Sequence, residues 1–404
     1  MSETNPYQEL LEQLQACESQ EERDWLSLRF SMAQLPEELQ AAVRAAAVPR
    51  FFDRAFLNAL LDQPLGETHF AELLEQPYVE PYPVEERYNV HERSRRLLQE
   101  RLWLEDEEQY CDLSRCAFTY CAEQDQDDLT WQIETIYHQL IAEPDKGADA
   151  LNNICVDWTN PPYFAYDRAE SLLQAVQEHR EMKRLPDKAV LYFLLRQANL
   201  DMRYSRNRQA KDALEQIPLS VIKEDDSYLA ANCLKALGDV HLRLSELPAA
   251  RKRYEECLPV YREIGSRLGE ANCLQALGDV HLRLSELPAA RRDFENARKV
   301  YRDINESVGK ADSLRMLGKL AVQTGEFAAA QKYVEQASAQ FERIEGWEGV
   351  AECLEGFAEL YQAQGKTQQA KEYWQKAADK YHEISMPLRA EKCLEQLRQL
   401  KEQE

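Results

Sequence analysis

The sequence predicts an all-α chain whose C-terminal half is an α-solenoid of stacked helical hairpins. Three observations carry that expectation. The first is self-similarity: ANCLKALGDVHLRLSELPAAR (231–251) returns 40 residues later as ANCLQALGDVHLRLSELPAAR (271–291), differing only at Lys235 versus Gln275. The second is composition, rich in Ala, Glu, Leu, Gln and Arg with only 13 Gly in 404 residues, which favours helix. The third is spacing, since Leu274, Leu277, His281 and Leu284 recur on one face of a helix.

Two further copies keep the register, ADSLRMLGKLAVQTGEFAAAQ (311–331) and AECLEGFAELYQAQGKTQQAK (351–371). A degenerate earlier copy, LYFLLRQANLDMRYSRNRQAK (191–211), holds Leu194, Ala198 and Ala210 in phase, and residues 387–400 repeat the first helix alone. About five hairpins and a capping helix are therefore expected. Within a unit, Ser285-Glu286-Leu287 interrupts helix A, Pro288 suits the first turn of helix B, and Gly265 suits a position just past a helix end. Gly278, Ala290 and Ala297 let the helices close up, while Phe294 and Tyr301 fill the space between units. One hairpin cannot bury both faces, so the units must stack into a superhelix with a concave wall of A helices. Cys233, Cys273, Cys353 and Cys393 share the register, with Ser313 in the remaining slot, and are expected to be packing thiols. The near identity of two units points to a recent duplication.

At Leu274, Leu277, Gly278, His281, Ala290, Phe294 and Ala297 the chain resembles the tetratricopeptide repeat, with a 40-residue period in place of the usual 34. The resemblance covers about half the chain and implies a groove that binds a protein or peptide. Carried over residue by residue, the groove would be lined by Asn232, Lys235, Asp239 and Arg243 in one unit and by Asn272, Gln275, Asp279 and Arg283 in the next. Asp312, Arg315, Lys319 and Gln323 would follow, then Glu352 and Glu359. Asn and Arg can hold an extended backbone or its carboxylates, and the acids would select basic residues.

The N-terminal half has a different grammar. Residues 1–33 read as a helical segment, 34–104 as a winged-helix-like domain, 105–185 as an acidic helical arm and 186–404 as the solenoid. LPEELQAAVRAAAV is an amphipathic helix entered at Pro36, Asp53 is a candidate N-cap for RAFLNALLD, and Thr68 a candidate cap for HFAELLEQ. YVEPY and ERYNV, parted by Pro83, predict a small β-wing, and HERSRRLLQERLW a fourth helix. The succession AAVPRFFDRAFLNALL, ELLEQPYVEP and YNVHERSRRLLQERL resembles the winged-helix segment of STAND-class signalling ATPases, and WQIETIYHQLIAEPDKGADAL resembles their helical arm. That resemblance makes His91 a counterpart of the family's nucleotide-sensing histidine. No GxxxxGK[ST] phosphate loop occurs, however, so within this chain His91 is expected to cap or pack, and any ATPase or effector subunit would be encoded separately. NNICVDWTNPPYFAY is the expected joint between domains.

A net charge of −23 repels phosphate backbones and anionic lipid surfaces. The second-helix candidate of the wing domain, 69–76, carries Glu72 and Glu75 and no Lys or Arg, and Arg93, Arg95, Arg96 and Arg101 lie on a later helix. Nucleic acid is not an expected partner, although a transcription regulator with the repeats as ligand sensor is the alternative function. The polar start and the absence of any 18-residue apolar run predict no signal peptide, no membrane span and a cytoplasmic, bacterial protein with reduced thiols. Cys111, Cys116 and Cys121 would point in three directions from one helix, so no metal is expected; neither is a cofactor. No nucleophile motif, HExxH pair or convergent carboxylate pair emerges, and the expectation is a non-catalytic adaptor.

Overall fold

The computed structural model describes residues 6–84, 86–160, 163–217 and 227–402. Its contacts divide the chain into two compact units, 1–200 and 201–404.

In the first unit, α1 (Pro6–Ala16) leads to α2 (Gln20–Ala33), which opens on a reciprocal cap between Ser19 and Glu22. Pro36 precedes α3 (Glu37–Ala46), and Asp53 caps α4 (Arg54–Ala59) by accepting the Phe56 amide at 2.7 Å. The cap expected at Thr68 sits instead at Gly66, whose extended backbone starts α5 (Glu67–Leu74) two residues earlier and leaves Thr68 inside the first turn. Strands β1 (Val79–Pro81) and β2 (Tyr88–Val90) pair antiparallel, and Phe52 joins β2 through two backbone bonds to Tyr88. His91 is exposed and opens α6 (Glu92–Glu105), its amide donating to the Tyr78 carbonyl at 2.7 Å while its ring caps nothing. The helices and hairpin close over Leu39, Val43, Phe51, Phe52, Phe56, Leu57 and Leu73, and Trp131 of the next helical layer packs edge-on against Phe51.

That layer is α7 (Glu107–Ala122), α8 (Leu129–Ala142), α9 (Pro144–Thr159) and α10 (Tyr166–Glu181), with α11 (Asp187–Arg203) running across the division. On α7, Cys121 is buried, Cys111 half-buried and Cys116 exposed, as their spacing requires. Of the segment expected to be a joint, residues 152–160 and 163–166 lie inside the first unit; the Pro pair at 161–162 is outside the described residues.

The layer is held by buried charge. Glu134, wholly buried on α8, is bound by Arg50 and lies 3.3 Å from His138. Burial alone would raise its pKa; Arg50 and His138 reverse that and hold the carboxyl down at about 2. Arg95 spans two elements of the same core, donating to both oxygens of Glu178 at 2.7 and 2.9 Å, to the Pro49 carbonyl at 2.9 Å and to the Tyr137 hydroxyl at 3.1 Å. Arg184 donates to Gln99 and to the Tyr110 hydroxyl, both at 2.8 Å. His179 stacks on Tyr137 and is held neutral, first by burial and then by Arg184.

The second unit holds α12 (Asn207–Glu215) and nine further helices among the described residues. The A helices are α13 (Ser227–Arg243), α15 (Arg267–Arg283), α17 (Ser307–Gln323), α19 (Trp347–Ala363) and the closing α21 (Pro387–Glu402). The B helices are α14 (Leu247–Glu263), α16 (Leu287–Asp303), α18 (Phe327–Arg343) and α20 (Thr367–Glu383). One left-handed residue ends every turn: Ser245, Ser285, Gly325 and Gly365 after A helices, Gly265, Asn305, Glu345 and Ser385 after B helices. Pro248 and Pro288 fall in the first helical turn, where the missing N–H costs nothing. A Cβ at Gly278 would lie 2.6 Å from the Phe294 ring, so only glycine admits that ring between α15 and α16.

The register cysteines are buried, and Ser313 in their series is buried as well, donating to Gln275 at 2.7 Å. Cys353 and Cys393 are both pushed up to about 12 by burial, which suppresses the reactive thiolate. Brief alkylation of the native protein at neutral pH, read by peptide mass spectrometry, is expected to modify Cys116 and spare Cys233, Cys273, Cys353 and Cys393. Labelling of the register cysteines at the Cys116 rate would contradict this packing.

Candidate functional site

Successive A helices pack on one another, α13 on α15, α15 on α17 and α17 on α19, whereas no B helix packs comparably on the next among the described residues. The A helices therefore take the inside of the curve. Along the A helices the candidate positions repeat every 40 residues: Asn232, Lys235, Asp239, Asn272, Gln275, Asp279, Asp312, Arg315, Glu352 and Glu359 are half-buried, whereas Arg243, Arg283, Lys319 and Gln323 are exposed.

What positions these side chains is a set of bonds from the B helices. The Tyr261 hydroxyl donates to Asn232 Oδ1 at 2.6 Å, and forty residues on Tyr301 donates to Asn272 Oδ1 at 2.7 Å. Each bond fixes the amide by its oxygen and leaves its Nδ2 donors unused among the described residues. Asp239 accepts from Tyr254 at 2.8 Å and from Lys235 at 2.7 Å. Burial disfavours the Lys235 charge, but Asp239 outweighs it and holds the ammonium above its ordinary pKa. In the next unit Phe294 replaces Tyr254 and offers no hydroxyl, so Asp279 pairs with Arg283 at 3.0 Å. Arg243 and Arg283 are exposed, and each makes a long bond of 3.4 Å, to the Met202 and Leu242 carbonyls respectively.

Further along, the wall becomes a continuous polar ladder. Gln275 on α15 donates to Asp312 on α17 at 3.1 Å, Arg315 binds Asp312 and reaches Glu352 on α19 at 3.3 Å, and Arg389 on α21 lies 3.6 Å from Glu352. Burial still lifts Glu352 above the ordinary carboxylate range, against the pull of Arg315 and Arg389. Lys319 is exposed, and its charge partly offsets the burial that raises Glu359. Gln323 ends the same face.

The wall extends beyond the residues expected. Together with Glu359, which the sequence offers, Glu355, Gln362, Trp374, Lys392 and Glu395 line a cleft of about 680 Å³ at the closing helix. The signal for them was the register itself, because Glu355 and Glu395 continue the series Lys235, Gln275, Arg315, and Lys392 continues Asn232, Asn272, Asp312, Glu352. The wall thus carries Arg243 and Arg283 at its first units and turns acidic at its last. It can present oriented donors to a backbone and charges of both signs to side chains.

Residues 226–303, 270–343 and 309–383 match the family model for the tetratricopeptide repeat. The hairpins are of the tetratricopeptide type. No curated protein matches the chain. Among solved structures, a Signal Transduction ATPase with Numerous Domains (STAND) protein with a tetratricopeptide repeat sensor from Pyrococcus horikoshii is 14% identical, with 93% of this chain and 67% of that one covered and a TM-score of 0.47. Aspartyl phosphate phosphatase F from Bacillus subtilis is 14% identical over 99% of this chain and 96% of that one, with a TM-score of 0.42. BtubC (BKLC) from P. vanneervenii is 16% identical over 59% and 90%, with a TM-score of 0.41. The matched residues all lie in the second unit; among the described residues of the whole chain, no helix is long and apolar enough to cross a membrane.

Proposed function

We propose that this chain is a non-catalytic cytoplasmic adaptor of bacterial origin. Its tetratricopeptide wall grips a protein or peptide, and the chain acts as the sensor half of a STAND-like system whose ATPase or effector is a separate polypeptide. The observation that carries this is the paired orientation of Asn232 by Tyr261 and Asn272 by Tyr301, which presets two sets of amide donors one repeat apart. Preset donors bind an extended backbone without the entropy cost of ordering them first. Arg243 and Arg283, exposed beside them, suit acidic residues in the ligand. The winged-helix-like layer of the first unit would dock the second component. A DNA-reading role for that layer fits poorly, because Arg95 is buried against Glu178, Arg93 is bound to Asp24, and Arg96 lies 3.8 Å from Glu181.

The test is affinity purification of the tagged chain from its native host, run in parallel for wild type and for Arg243→Glu plus Arg283→Glu. One dominant protein partner is expected, recovered at least about tenfold less by the reversed variant at unchanged helical content. Equal recovery by both would overturn the groove assignment, and recovery of DNA would favour the regulator instead.

A further inference from the structure

Away from the inner wall, α16, α17 and α18 enclose a cleft of about 410 Å³ in which four cations meet. Arg298 and Arg302 come from α16, Lys310 from the first turn of α17 and Arg343 from the end of α18, over an apolar floor that includes Leu314. Among the described residues no carboxylate lines it, in a chain of net charge −23. Among the described residues only Arg302 of the four has a carboxylate beside it, exposed Asp303 at 3.3 Å. The nearby Glu306 is engaged elsewhere, accepting the Val308 and Gly309 amides at the start of α17.

The repeat supplies its own control. One unit earlier the four positions hold Leu258, Arg262, Glu270 and Asp303, and Arg262 is neutralised by Glu270 at 2.9 Å. One unit later they hold Ser338, Glu342, Val350 and Glu383. The same backbone junction thus accepts a neutralised or an acidic set. The cations at this junction are not required by the packing, and only exposed Asp303, beside Arg302, offsets their mutual repulsion among the described residues.

We propose that this cleft is a binding site for a multiply charged phosphate group, of the di- or triphosphate class, carried on a small molecule. Three guanidinium forks can each take a phosphate edge through two parallel bonds, and the ammonium adds a point charge. The cleft falls within the size range of small-ligand sites. Gln340 lines it as well, with an amide oxygen that has no hydrogen-bond partner, and turning that amide would offer two further donors. The site is separate from the peptide groove and does not depend on it.

Titration calorimetry of the full chain with tripolyphosphate at low salt is expected to show one saturable site that weakens as salt is added. Lys310→Glu plus Arg343→Asp restores the residues of the preceding unit, so the fold has already tolerated that arrangement; it is expected to lose about tenfold or more in affinity. Arg298→Leu, likewise the preceding unit's residue, is expected to lose part of it. Arg398→Glu plus Lys401→Glu on α21 changes net charge equally and is expected to leave binding unaltered. No saturable binding by wild type, equal loss in the α21 variant, or binding of a phosphoserine peptide without tripolyphosphate would each overturn the proposal.

Discussion

Glu134→Ala is expected to loosen the first unit by about 3–5 kcal/mol, because it strands Arg50 and His138 around a lost carboxylate. Hydrogen exchange read peptide by peptide would show α8 and the segment around Arg50 opening while α15–α18 stay protected. Unchanged protection of α8 would refute the role given to this pair. The pH dependence has a definite sign. The folded carboxyl lies at about 2, below its ordinary value, so its contribution is fully present above about 4.5 and is lost as pH falls from there towards 2. Glu134→Gln removes that contribution, and the stability gap between wild type and Glu134→Gln is therefore expected to narrow on acidification through that window. A gap that widened would mean that the carboxylate is not held down in the fold.

Phe294→Ala is expected to cost about 3–5 kcal/mol, since the ring is wholly buried and meets the backbone of α15 at Gly278. Gly278→Ala alone should cost about 1–3 kcal/mol by overpacking the same contact. Combined, the two are expected to cost less than their sum, because the added methyl enters the space the ring has left. Thermal melts of the four proteins close the cycle. Strict additivity would mean that the glycine is not there to admit the ring.

The second unit was open to a reader of the sequence because its constraints are periodic. Gly278, Pro288 and the buried cysteines each recur at a fixed interval, and that register is what aligns the candidate wall residues from one A helix to the next. The same register extends to Glu355 on α19 and to Lys392 and Glu395 on the last helix, which reads as a cap although it continues the series. The pairing of Tyr261 with Asn232 was hidden for a different reason. It joins residues 29 apart on different helices, and only the angle at which those helices pack brings them within a hydrogen bond. In the first unit nothing repeats. Arg50 and Glu134 stand 84 residues apart, and Arg95 looks from its sequence like one of four surface arginines on α6. Burial of a charge is decided by tertiary contacts that leave no local trace. Thr68 is not a cap because Gly66, two residues before it, adopts the extended backbone an N-cap needs.

The ladder from Gln275 through Asp312, Arg315 and Glu352 to Arg389 has a mechanical consequence. A stack whose units touch only their neighbours behaves as a spring, compliant along its axis. Ion pairs strung from rung to rung across its inner side act as cross-bracing on that spring, resisting any motion that would splay the A helices apart. Because the braces are only half-buried, dissolved salt slackens them. Small-angle scattering of the second unit across a salt series should then show its coil opening as ionic strength rises, with the helices themselves intact.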